Sequence, residues 1–129
     1  PEIDLLLVPG GVHDAAMRDA RTLDWLGRAA AKAEIVASVC TGAFLPAAAG
    51  LADGAALTTH WEDLDDLRRA FPRCEVVDGV RWVGRGRLVS SAGIAAGIDM
   101  SLHLVERLAG RELAERTARQ MDVRWLDTP

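Results

Sequence analysis

The stretch Ile35-Val36-Ala37-Ser38-Val39-Cys40-Thr41-Gly42 decides the fold. Its first five residues carry no charge, and Ile35, Val36 and Val39 are β-branched, as suits a strand buried on both faces. The run ends at Cys40, and Gly42 leaves room for a close approach of the chain. From Gly42 to Ala49 the small residues predict a helix, ended near Gly50. A tight turn from a buried strand into a helix lifts the turn residue above the sheet, as in a nucleophile elbow. Here that residue is a cysteine.

The flanking segments repeat the alternation of strand and helix. Ile3 to Val8 is a short apolar run closed by Pro9-Gly10-Gly11, a second buried strand. Between the two strands, Leu23, Leu26 and Ala30 share one side of a helix that Thr22 could cap, with Trp25 and Ala29 beside them. Beyond the turn, Thr58-Thr59-His60-Trp61 is strand-like and runs into a helix whose acidic start suits the dipole and whose apolar face is Leu64, Leu67 and Phe71. Glu75–Val77, Arg81–Val83 and Leu88–Ser90 are short strand candidates separated by Asp78-Gly79 and by Gly84 to Gly86. Ala95 to Leu108 is the longest helix, with Ile98, Leu102 and Val105 at helical spacing and Met100, Leu104 and Leu108 alongside. A last amphipathic helix covers Arg111 to Met121. Alternating strands and helices imply right-handed crossovers and a mainly parallel sheet, with ligands gathering beyond the carboxyl ends of the strands. Both Pro9-Gly10-Gly11 and Cys40-Thr41-Gly42 lie there.

Composition narrows the function. The chain has 129 residues, enough for one domain covering 1–129 and too few for two. It is 50% hydrophobic and 26% charged, which is globular composition. A net charge of -4 argues against direct contact with nucleic acid, because neutralising phosphates needs clustered Lys and Arg. The densest basic stretch, Arg81 to Arg87, reads as a solvated hairpin edge. Two cysteines cannot make a disulfide framework, and no metal-binding spacing is present, so neither a metal nor a cofactor is expected. No run reaches the ~20 apolar residues that span a bilayer, and no leader precedes the first strand, so a cytoplasmic protein without membrane contact is expected.

Cys40 is the candidate nucleophile, since the amide groups and dipole of a helix start favour its thiolate. Read alone, a free cysteine suits the part of a small buried hydrophobe as well. Cys74 lacks such a setting and reads as structural. The N–H of Thr41, with one from Gly10-Gly11, could form an oxyanion-hole-like pair. His60, beside Trp61, is the histidine best placed to line the crevice, although it could equally be a packed ring. His13 reads as a surface residue. His103, between Asp99 and Glu106, reads as part of a solvated helix face.

Several segments in order carry a family resemblance: Asp4-Leu5-Leu6-Leu7-Val8-Pro9-Gly10-Gly11, Val39-Cys40-Thr41-Gly42-Ala43-Phe44-Leu45, Ala48 to Gly54, Thr58-Thr59-His60-Trp61, and Ser90 to Asp99. With these the sequence resembles the ThiJ/PfpI superfamily, also called class I glutamine amidotransferase-like. The resemblance implies a flavodoxin-like α/β fold, a three-layer sandwich that is often dimeric, so a homodimer is expected. Cys40 matches the family cysteine. Two groups are most similar: isonitrile hydratase with its single-domain relatives, and the sensor half of AraC-type transcription regulators. The first implies a lyase in which Cys40 and Thr41 hydrate a small-molecule isonitrile to an N-substituted formamide; Gly10, Gly11, His60 and Trp61 are the candidate lining residues from their own positions in the sequence. The second implies a ligand crevice serving a separate DNA-binding domain. Another ThiJ/PfpI cysteine hydrolase is a further alternative, although the His-Glu pair of true glutaminases is not recognisable. The chain departs from the family at its start: the strand, helix and strand expected ahead of Ile3–Val8 are absent, and an acidic catalytic residue with them. A sheet lacking that first strand should associate through its exposed edges, at Ile3–Val8 or Ile35–Val39.

Overall fold

The computed structural model describes residues 2–129. Strands β1 (Leu5–Val8), β2 (Ile35–Val39) and β6 (Leu88–Ser91) run parallel, and β5 (Trp82–Val83) pairs antiparallel with β6. They form one sheet in the order β1-β2-β6-β5, with β3 (Ala56–Leu57) and β4 (Glu75–Val76) as a small parallel pair. Leu5 stands opposite Ile35, and Val39 opposite Ser91. This is a mainly parallel α/β sheet with helices on both sides, as the alternation predicts.

The apolar strands serve two cores because successive side chains point to opposite faces. Leu6, Val8 and Val36 pack with Leu26, Ala29 and Ala30 of α2 (Ala20–Lys32) and with Leu45 of α3 (Phe44–Ala48). On the other face Ile35, Ala37 and Val89 pack with Met100 and Leu104 of α5 (Ala96–Ala109). Ile35 and Val89 are wholly buried, and each such side chain contributes about 1.5–3 kcal/mol. A third cluster, Ala43, Ala47, Ala52, Leu57 and Leu67, joins the strand-to-helix turn to α4 (Leu64–Ala70). The remaining helices are α1 (Asp14–Arg18) and α6 (Arg111–Gln120).

Several local expectations are corrected. The cap of α2 is Asp19, which accepts from the Arg21 N–H, while Thr22 donates to the Asp19 carboxylate from inside the helix. The segment after Cys40 begins as a 3-10 turn, Cys40–Ala43, before α3. The strand near Thr58 lies just before it, at Ala56–Leu57. Trp82 is no solvated edge: it is 1% exposed and stacks on His103, with centroids 4.1 Å apart. His103 therefore lies against the core, and Asp99 pairs with Arg81 (2.6 Å) rather than with His103. Arg87, also read as solvated, donates to the carbonyls of Ala30 and Ala33 at the end of α2, where orphan carbonyls need donors. Ile98 is partly exposed although it shares the helical spacing of the core. Finally, β2 is interior, bonded to β1 and β6, so of the two strands named as edges only β1 lies at one.

Candidate active site

Cys40 follows β2 directly and has φ 55, a left-handed conformation uncommon outside glycine. Such strain persists only where the surroundings impose it, and it clusters at functional sites. Three contacts impose it here. Gly42 fits under the carbonyls of Val8 and Pro9 so closely that a Cβ would come within 2.5 Å and 2.7 Å of their oxygens. Gly10 lies against Cys40, where a Cβ would be 3.1 Å from the Cys40 Cβ. The Thr59 hydroxyl donates to the Cys40 carbonyl at 2.9 Å. The ends of β1 and β2 and the segment after β3 thus converge on one half-buried thiol.

Thr41 latches the loop beside it. Its hydroxyl donates to the Gly11 carbonyl and accepts from the Gly11 N–H, each at 2.9 Å. The Gly11 amide is thereby engaged, so an oxyanion pair with the Thr41 N–H would have to draw on Gly10. Thr41, Gly11, His13, Phe44, Asp63 and Asp66 line a cleft of about 210 Å³.

His60 and Trp61 line a different cleft, of about 360 Å³, with Val80, Arg81, Ala92, Gly93 and Ile94. Phe44 and Trp61 therefore do not share one pocket. His60 caps the 3-10 turn Trp61–Asp63: its Nδ1 accepts from the Glu62 N–H at 3.4 Å, with an Asp63 carboxylate oxygen 3.6 Å away. The ring packs so tightly on Gly93 that a Cβ there would come within 2.4 Å of His60 Cδ2. Trp61 is 72% exposed, and its ring lies 5.8 Å from that of His60. Ile94 is 82% exposed with φ 29, which is strained for a β-branched residue. It also borders an apolar groove that begins at Val39 and runs along α5 and α6.

Sequence reasoning missed Arg81. The signal was Asp99, a carboxylate in an apolar helix face that needs a partner once buried. Asp99 is 3% exposed and accepts from Arg81 Nε at 2.6 Å and from the Leu126 N–H at 2.9 Å. Cys74 is half-buried, and burial followed by nearby Asp53 pushes its thiol pKa up. Among the described residues, no cluster of His, Cys, Asp and Glu could hold a metal ion, and no helix is long and apolar enough to cross a membrane.

Known proteins share this architecture. The model of the DJ-1/PfpI family matches residues 1–107. Isonitrile hydratase of Pseudomonas putida is 40% identical over 123 residues, which are 95% of this chain and 53% of that protein. The HTH-type transcriptional regulator GbdR of Pseudomonas aeruginosa is 37% identical over 88% of this chain and 31% of its own length. The crystal structure of a ThiJ/PfpI family protein from Pseudomonas syringae superposes with a TM-score of 0.84 at 32% identity, covering 95% of this chain and 50% of that one. The chain thus spans about half of the hydratase and about a third of the regulator. Matched over most of its length in sequence and in fold, the chain belongs to the DJ-1/PfpI family.

Proposed function

We propose that this chain is the cysteine-bearing part of an isonitrile hydratase-like lyase, with Cys40 as nucleophile and Thr41 holding the loop against it. The observation that supports the reading most is the left-handed turn at Cys40, closed by Gly42, Gly10 and Thr59 at the carboxyl end of a buried strand. Among the reactions a thiol can perform, the 40% identity to an isonitrile hydratase supports this one.

In this mechanism the thiolate attacks the terminal carbon of R–N≡C. A C–S bond forms while that carbon takes up a proton, giving a thioimidate. Water then adds to the same carbon, the nitrogen takes up a proton, and the C–S bond breaks. The formamide R–NH–CHO leaves, and the thiolate is regenerated. Water is the only reagent consumed, so no oxidant, metal or cofactor enters the balance.

A second reading has its own support. The match to GbdR covers 88% of this chain, so the same fold could serve as the ligand-sensing part of a regulator. Incubating the full-length protein with an aliphatic isonitrile separates the two. The hydratase reading expects the N-substituted formamide, and its loss in Cys40→Ala. Absence of formamide from several isonitriles, with small-molecule binding retained, favours the sensor.

A further inference from the structure

We propose that the cleft of His60, Trp61 and Arg81 is a binding site for a small carboxylate with a short apolar body, anchored by Arg81. The inference goes beyond the hydration reading, because it holds whether the bound carboxylate is a substrate or an effector.

Asp99 is a carboxylate in the first turn of α5 at 3% exposure, costly there unless it is fully bonded. Its two oxygens are satisfied by Arg81 Nε and by the Leu126 N–H, so the Arg81 side chain is gripped by its inner edge. Among the described residues neither Nη group donates a hydrogen bond. A guanidinium held this way presents a flat, fixed pair of donors, which matches a carboxylate bidentately. Arg81 lines the cleft and its side chain is 41% exposed, so those donors are within reach of a ligand.

The rest of the cleft has matching chemistry. His60 Nδ1 accepts from the Glu62 N–H, and the opposite edge of the ring, Cδ2 and Nε2, faces Gly93 in the same cleft. The imidazole thus adds a polar edge to the cleft that Arg81 also lines. The Asp63 carboxylate lies against Nδ1, on the other side of the ring. Trp61 and Ile94 stand in solvent at 72% and 82% exposure, and Val80 also lines the cleft. Two large exposed apolar side chains around a fixed cation suit an organic acid better than inorganic phosphate, which would leave them uncovered. The backbone is also held for this arrangement: Ala92 N–H donates to the Arg81 carbonyl at 2.8 Å, and the next residue is the glycine on which His60 packs.

The test is titration of the ¹⁵N-labelled full-length protein with sodium valerate and with valeramide, its uncharged analogue. Valerate should shift the Ala92, Gly93 and Trp61 indole signals at concentrations where valeramide does not. Arg81→Gln should weaken valerate about tenfold or more, as expected when charge-assisted bonds are lost. Should that variant unfold because Asp99 loses its partner, the acid–amide comparison in wild type still decides, and Trp61→Ala, at an exposed position, should weaken valerate as well. Equal binding of acid and amide, or unaltered valerate binding by a folded Arg81→Gln, overturns the proposal. The source is sorted by turnover of an ω-isocyano carboxylate against its methyl ester. A lower KM for the acid, abolished in Arg81→Gln, marks the carboxylate as part of a substrate. Valerate binding without hydration of any isonitrile marks it as an effector, sinking the hydratase reading while leaving the carboxylate site in place.

Discussion

At Cys74 the thiol packs with Leu57, Leu67 and Phe71, and burial with Asp53 nearby raises its pKa, so little of it is thiolate near neutrality. Cys40 stands instead at the strained turn where the two glycine loops meet. Iodoacetamide at neutral pH should therefore label Cys40 before Cys74 in the folded protein. Equal rates, or labelling of Cys40 only in denaturant, would make it an ordinary buried thiol. Thr41 carries a different load. Since its hydroxyl both donates to and accepts from Gly11, Thr41→Val should lower stability by about 1–2 kcal/mol through two lost bonds. Residual turnover should survive, because the Thr41 backbone N–H and the thiol remain. Complete loss of turnover with an unaltered melting temperature would move the hydroxyl from the latch to the chemistry.

Helix α5 shows how an element's surroundings override its own pattern. Its spacing places Ile98 with the core and His103 with solvent, yet Ile98 is exposed and His103 lies under Trp82. The reason lies in β5, a two-residue strand that sets a large ring against that face of the helix. No periodicity within α5 could reveal a partner so far away in sequence. The cysteine turn was legible because it is local: an apolar strand, a break and a glycine lie in consecutive residues. The Arg81–Asp99 pair was not, because it joins two elements that each look ordinary alone. The stacking has a consequence for pH. Burial lowers the His103 pKa, with Arg107 and Arg85 acting in the same direction and Glu106 opposing. The unfolded chain then binds the proton more readily than the folded one. His103 stabilises fully above its ordinary value of about 6.5, and that contribution is lost as pH falls through the lowered folded value. Melting temperatures from pH 8 down to 5 should fall, and His103→Phe, which keeps a ring on Trp82, should flatten this part of the curve. An unchanged slope in His103→Phe would assign the fall to other groups.

For the molecule as a whole, the alternation of strands and helices was enough to give the layered parallel sheet, because the runs that form β1 and β2 are almost wholly apolar. Its edges were harder to assign, since a sequence orders its strands in time and not in space. In the sheet β1 lies at one edge, and its Leu7 is 46% exposed on a strand whose neighbours Leu6 and Val8 are buried. An uncovered edge with an apolar side chain invites pairing with a second chain. The 129-residue chain by itself should thus associate with concentration, and Leu7→Lys should reduce this in sedimentation experiments; a monodisperse wild-type chain at high concentration would contradict it. The proposed chemistry starts at the thiol that follows β2. Its most direct test is intact and peptide mass spectrometry of the full-length protein, acid-quenched during reaction with tert-butyl isonitrile. The account predicts an adduct of the whole isonitrile mass on the peptide bearing Cys40, present early and decaying as formamide accumulates. Formamide production with no adduct at any time, or with undiminished rate in Cys40→Ala, would contradict it.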